Sequence, residues 1–121
     1  MAKNLEIALL FDFYGDMLTE KQRDVVELYY NDDLSLSEIA ENEGITRQGV
    51  RDSIKRAEAQ LLEMEDRLGL ARRFRTMREG IETIREAARD IQDFNNRYGY
   101  SREIDDRAGR ILAMAERLAQ E

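Results

Sequence analysis

Residues 34–57, Leu-Ser-Leu-Ser-Glu-Ile-Ala-Glu-Asn-Glu-Gly-Ile-Thr-Arg-Gln-Gly-Val-Arg-Asp-Ser-Ile-Lys-Arg-Ala, leave little freedom in what this chain folds into. The run reads as a short helix, a tight turn and a second helix, the arrangement that presents side chains to a nucleic-acid groove. Ser35 is placed to accept from the amide of Glu38 while the Glu38 side chain reaches back, so that two unpaired backbone donors are satisfied together. Gly44 falls where the first helix must end through a positive φ, which glycine adopts without steric cost. Ile39 and Ala40 face inward, and Ala40 is small enough for the second helix to cross close by. Thr46 caps that second helix, whose inner face is Val50, Ile54 and Ala57. Its outer face carries Arg47, Gln48, Arg51, Asp52 and Lys55, residue types that reach bases or phosphates. Gly49 weakens the helix unless close packing requires it.

The composition favours helix throughout. There is no proline and no cysteine in 121 residues, and the dominant Ala, Leu, Glu, Arg and Gln are good helix formers. An all-α fold follows, with enough chain for one domain and an extension. The absence of cysteine rules out a disulfide scaffold and fits a reducing compartment. No apolar run is long enough to span a bilayer and the N-terminus has no signal-peptide pattern, so a cytoplasmic location is expected. With neither His nor Cys, the usual zinc ligands, imidazole bases and thiol nucleophiles are missing. The carboxylates fall on periodic helical faces rather than as a pair among apolar residues. The expectation is a non-enzyme with no cofactor and no metal site.

The net charge of −7 opposes indiscriminate binding to a polyanion, but its distribution is uneven. Residues 1–46 hold three basic and eleven acidic side chains, residues 47–78 nine and five, and residues 79–121 seven and ten. The basic stretch starts at the second helix of the motif and would orient the chain on nucleic acid.

Around the motif, residues 5–14 are apolar on most sides and predict a largely buried helix. Residues 19–22, Thr-Glu-Lys-Gln, form a capping box opening a further helix with Val25, Val26, Leu28 and Tyr29 inward, broken at residues 31–33. Beyond the motif, Val50, Ile54, Ala57, Leu61, Met64, Leu68 and Ala71 alternate in steps of four and three, a heptad seam that extends the recognition helix up to a break at Gly69. A second seam runs through Phe74, Met77, Ile81, Ile84, Ala88 and Ile91. After residues 95–99, Ser101 is placed to cap a last helix with Ile104, Ala108, Ile111, Ala115 and Leu118 inward. These two helices form an intramolecular hairpin, a seam with a second copy, or both.

Residues 67–78 hold five arginines and no acid. Arg72, Arg73 and Arg75 suit a backbone clamp on RNA or DNA, because the guanidinium is planar and makes paired bonds to phosphate. The alternative for them is a solvated face pairing with nearby glutamates. Phe74 fits the second seam as core, the alternative being stacking on an unpaired base.

Residues 9–14 (Leu-Leu-Phe-Asp-Phe-Tyr), 18–23 (Leu-Thr-Glu-Lys-Gln-Arg), 27–36 (Glu-Leu-Tyr-Tyr-Asn-Asp-Asp-Leu-Ser-Leu), 38–40, 46–48 and 54–56 together resemble the YlxM-like family of small bacterial helix-turn-helix proteins. The resemblance is dense over residues 5–75 and looser afterwards. The motif is also similar to region 4 of bacterial sigma factors. What the family implies is a cytoplasmic all-α protein, usually encoded beside the signal recognition particle GTPase, with an accessory or regulatory role in that targeting pathway and neither enzymatic activity nor cofactor. By analogy with sigma region 4, base-reading positions fall on Arg47, Gln48, Arg51 and Asp52. The stretch 49–51 departs from that pattern, in which small and aromatic residues are more usual at positions 49 and 51.

The expected architecture is therefore a helix-turn-helix bundle over residues 1–70, with a long recognition helix, and a C-terminal helical hairpin over residues 71–121 that can serve as a dimerisation arm. Arg47, Arg51, Lys55 and Arg56 would contact phosphates, with Arg72, Arg73 and Arg75 extending the footprint. Expected partners are signal recognition particle RNA or DNA, the particle's GTPase, and a second copy of the chain. The competing readings are a DNA-binding transcriptional regulator and a protein-interaction adaptor whose acidic N-terminal half docks a basic partner.

Overall fold

A computed structural model describes residues 2–120. Six α-helices account for most of them, and no strand occurs among the described residues. The chain divides into two compact units, Met1–Ala71 and Arg72–Glu121.

In the first unit, α1 (Leu5–Tyr14) is capped by the Asn4 side chain and closes through a tight 3₁₀ turn, Gly15–Met17. The capping box expected at Thr19 and Gln22 is formed and opens α2 (Glu20–Val26), which runs on into a wider π-helical turn, Glu27–Asn31. That turn buries Tyr29 and half-buries Leu28 and Tyr30 before Asp33, at φ 57°, reverses the chain. α3 (Leu36–Glu43) starts at the Ser35–Glu38 capping box and stops at Gly44, in the left-handed region at φ 68°. α4 (Arg47–Leu68) starts at Thr46, whose hydroxyl accepts from the Gly49 amide at 2.9 Å.

α4 is the spine of this unit because it supplies both halves of the core. Ala57 and Leu61 pack with Ile7, Leu10, Phe11, Tyr14, Leu18, Val26 and Ala71. Val50 and Ile54 pack with Val25, Tyr29 and Ile39, with Ala40 alongside. Each large aliphatic side chain so buried contributes about 1.5–3 kcal/mol, so the single α4 face at steps of three and four holds the helices around it.

α1 is largely buried, as expected: Ile7, Leu10, Phe11 and Tyr14 turn into the core, Ala8, Leu9 and Phe13 are half-buried, and Leu5 at its start is 87% exposed. One expectation is corrected here. The seam on α4 ends early. Leu68 is half-exposed, because α4 terminates at Gly69, whose left-handed backbone sends its amide to Glu65 O at 2.8 Å and turns the chain before Ala71 re-enters the core.

The second unit holds the greater part of α5 (Leu70–Arg97) and all of α6 (Arg102–Ala119). They form an antiparallel hairpin, with Arg89 paired to Glu116 at 3.7 Å and Asn95 to Ser101 at the turn. Asn95, expected in the break, lies inside α5. Its buried side-chain amide donates to Ser101 O at 2.8 Å while its Oδ1 accepts from Ser101 N at 2.9 Å. The seams close differently from the expectation. Ala88, Ala108 and Ala115 are buried, whereas Ile84, Ile91, Ile104, Ile111 and Leu118 remain about half-exposed. The alanines occupy the contact between the two helices, and the longer side chains flanking that contact are left on the outside. Phe74, expected as core, is 38% exposed at the edge of the same row, with the Arg78 guanidinium over its ring.

Candidate nucleic-acid interface

α4 presents two opposite faces because its buried positions recur at helical spacing. Val50, Ile54 and Ala57 have no measurable exposure, and the residues between them point outward. Arg47, Gln48, Arg51, Asp52, Lys55 and Arg56 are all exposed on this one helix. The face is held by the Thr46 cap at one end and by the core beneath it. Gly49 matters to the cap: a Cβ there would stand 3.1 Å from Thr46 Oγ1, so glycine permits the close turn despite its helix cost.

Two clefts flank the exposed face. The first is lined by Leu36 of α3 together with Arg47, Gln48 and Arg51. The second runs between α4 and the start of α2, where Asp52, Ser53 and Arg56 meet Thr19, Lys21 and Gln22. The predicted residues are thus divided into an Arg47–Gln48–Arg51 group on one side and an Asp52–Arg56 group on the other. Gln48 links the two, its Nε2 donating to Asp52 Oδ1 at 3.0 Å. That bond gives Asp52 a partner within the protein and orients the Gln48 amide.

Lys55 is tied down differently. Its Nζ lies 3.7 Å from Glu58 Oε1, and the other oxygen of that carboxylate accepts from the Tyr30 hydroxyl. Burial first, and then the Glu58 carboxylate, hold the Tyr30 phenol well above its ordinary range, so it remains a donor. Glu58 thereby anchors α4 to the wide turn after α2.

Arg72, Arg73 and Arg75 are exposed on α5 and belong to the second unit, beyond the break at Gly69. Lys21 and Ser53 are additional candidates that periodicity in α4 does not reveal. Ser53 lies on the flank of α4 toward α2, and Lys21 reaches the second cleft from the first turn of α2. The capping box at residues 19–22 is the sequence signal that locates that turn.

Arginines at both edges of an exposed helix face, with the Gln48 amide between them, suit paired bonds to phosphate or to a guanine edge. Among the described residues no group of His, Cys, Asp and Glu side chains could hold a metal ion, and no helix is long and apolar enough to cross a membrane.

A family model described as "Putative helix-turn-helix protein, YlxM / p13 like" matches residues 1–99. A UPF0122 protein of Thermoanaerobacter sp. (strain X514) is 44% identical over 109 residues, covering 84% of this chain and 93% of the relative. One from Halalkalibacterium halodurans is 49% identical over 85 residues, covering 70% of this chain and 78% of the relative. A third, from Clostridium novyi (strain NT), is 38% identical over 106 residues, covering 88% and 92%.

Proposed function

The chain belongs to the YlxM/p13-like helix-turn-helix family, and from that premise we propose that it is a non-enzymatic nucleic-acid-binding protein serving the signal recognition particle pathway as an accessory or regulatory component. The observation that carries the binding reading is the two-sided α4, with Val50, Ile54 and Ala57 buried beneath and Arg47, Arg51, Lys55 and Arg56 exposed above, in a chain of net charge −7. Basic charge gathered on this helix face raises the attraction for phosphate there, while the acidic stretch before it, with eleven acidic and three basic side chains in residues 1–46, limits contact elsewhere. On this reading Arg47, Arg51, Lys55 and Arg56 contact phosphates, Gln48 and Asp52 face the bases, and Arg72, Arg73 and Arg75 add phosphate contacts from the second unit. The target is the particle's RNA, its GTPase or both, in the cytoplasm. The pathway rests on the family resemblance and the binding face on the geometry.

A second reading is favoured by the half-exposed aliphatic rows of the second unit, which suit a homodimer. In it the protein is a transcriptional regulator that reads a palindromic DNA site with half-sites about one helical turn apart.

Sequencing the nucleic acid crosslinked to the protein in cells separates these readings. Signal recognition particle RNA supports the first and discrete genomic sites support the second. Recovery of neither, with partner binding that resists nuclease and charge reversal at Arg47 and Arg51, overturns both in favour of a protein-interaction adaptor.

A further inference from the structure

The hairpin of α5 and α6 leaves one face uncovered. Ile84 and Ile91 on α5, and Ile104, Ile111, Met114 and Leu118 on α6, are each between 44% and 51% exposed, while the alanines at the helix contact are 1–3% exposed. Their heptad positions put all six on the same side of the hairpin, since Ile84 and Ile91 repeat at seven, as do Ile104, Ile111 and Leu118. Phe94 and Tyr98, with ring centroids 4.6 Å apart, continue that side toward the turn. Two shallow grooves follow it, one holding Ile84, Ile111, Met114 and Leu118 and the other Ile91, Phe94, Tyr98 and Ile104.

The size of the face and its charged rim indicate what covers it. From these exposures the six aliphatic side chains offer about 500 Å² and, with Phe94 and Tyr98, about 800 Å², which is the share each partner contributes to a standard specific interface. An antiparallel hairpin with one apolar side is also half of a four-helix bundle. The rim is asymmetric: on the α5 side Asp90 borders the groove nearer the turn, and on the α6 side Arg107 and Arg110 border the other groove. All three are exposed. A two-fold axis running along the hairpin lays α5 of one copy over α6 of the other and sets the α5 edge that carries Asp90 beside the α6 edge that carries Arg110 of its mate. The alternative two-fold, which lays α5 on α5, brings no such pair together.

We propose that the uncovered face of the α5–α6 hairpin is filled by the same face of a second copy, giving an antiparallel four-helix bundle with α5 packed over α6 and two Asp90–Arg110 pairs at its rim. This rests on the homodimer reading and specifies its surface and orientation.

The test uses the full chain in sedimentation equilibrium, with helix content checked by circular dichroism. Wild type is expected as a dimer and Ile111→Glu as a folded monomer. Asp90→Arg and Arg110→Asp, each placing like charges together, should weaken dimerisation about five- to tenfold. An equimolar mixture of the two variants should regain wild-type affinity as a heterodimer, because both charge pairs are then re-formed. A wild-type monomer overturns the homodimer reading and this arrangement with it. A dimer that survives Ile111→Glu, or one in which the mixture binds no better than either variant alone, keeps the homodimer and overturns the face or the orientation.

Discussion

The phenol of Tyr14 donates to Glu65 Oε1 at 2.7 Å, joining residues 51 positions apart. The same hydroxyl accepts from the Leu70 amide at 3.0 Å, and Glu65 Oε1 also accepts from the Ala71 amide at 3.1 Å. The first amides of a helix have no partner within it and are usually met by a residue just before the helix. Here Gly69 occupies that place and has no side chain. Tyr14 from α1 and Glu65 from α4 supply the cap instead, which fixes where α4 ends and α5 begins.

Tyr14→Phe keeps the ring in the core and removes the hydroxyl from this arrangement. The amides of Leu70 and Ala71 should then exchange with solvent faster, while those of α2 and α3 keep their protection. Thermal unfolding should fall by about 5 °C. Native-state hydrogen exchange reads this directly, and unchanged protection at Leu70 would show that the break at Gly69 holds without Tyr14.

Alkaline pH should expose a related dependence. Burial and the Glu58 carboxylate raise the Tyr30 phenol above its ordinary 10.0, and burial and Glu65 raise Tyr14 in the same direction. A group whose folded pKa lies above its unfolded value contributes stability that is complete below the unfolded value and is lost as pH rises toward the folded one. The urea midpoint should therefore be steady below about pH 10 and decline above it. Tyr30→Phe should flatten that decline, and Tyr14→Phe combined with it should flatten it further. An equally steep alkaline decline in the double variant would assign the effect to other groups.

The parts of the fold fixed by local chemistry are legible in the sequence, because their cause lies within four residues. The capping boxes at Thr19–Gln22 and Ser35–Glu38, the stop at Gly44 and the Thr46 cap all follow from neighbouring residue types. The inward face of α4 is legible for a similar reason, since three-and-four spacing determines which side chains share a side. Periodicity does not reveal which of two adjacent rows closes a helix pair. The rows with Ala88 and Ala115 and those with Ile84 and Ile111 read alike in a heptad, and it is the alanines that are buried between the helices. Distant polar bonds such as Tyr14–Glu65 leave no local trace. On the candidate interface, the exposure of Arg47, Arg51 and Arg56 could be read from one helix, whereas Lys21 required knowing that α2 starts beside α4.

Gly44 tests the turn between α3 and α4. Its backbone is left-handed at φ 68° with open space around the missing Cβ, so substitution meets conformational cost rather than a clash. Gly44→Ala should destabilise the chain by about 1–2 kcal/mol, and Gly44→Asn by less, since asparagine visits this region more readily. Equal losses in chemical denaturation would point to a packing cause instead.

Lys21 separates positioning on the backbone from reading of bases. It stands across the cleft from Arg56, on a helix start that faces α4, whereas Gln48 lies on the exposed face of α4 itself, oriented by Asp52. A phosphate contact adds affinity that is indifferent to sequence and falls with salt, whereas a base contact adds preference. Lys21→Ala and Arg51→Glu should therefore weaken binding by a similar factor on every target tested. Each should also reduce the slope of log affinity against log salt by about 0.9 per duplex phosphate lost, or about 0.7 for a single strand. Gln48→Ala should leave the slope unchanged and reduce only the difference between preferred and scrambled targets. If Lys21→Ala left both affinity and slope at the wild-type value, the second cleft would lie outside the footprint, and the contact surface would contract to the Arg47–Gln48–Arg51 side of α4.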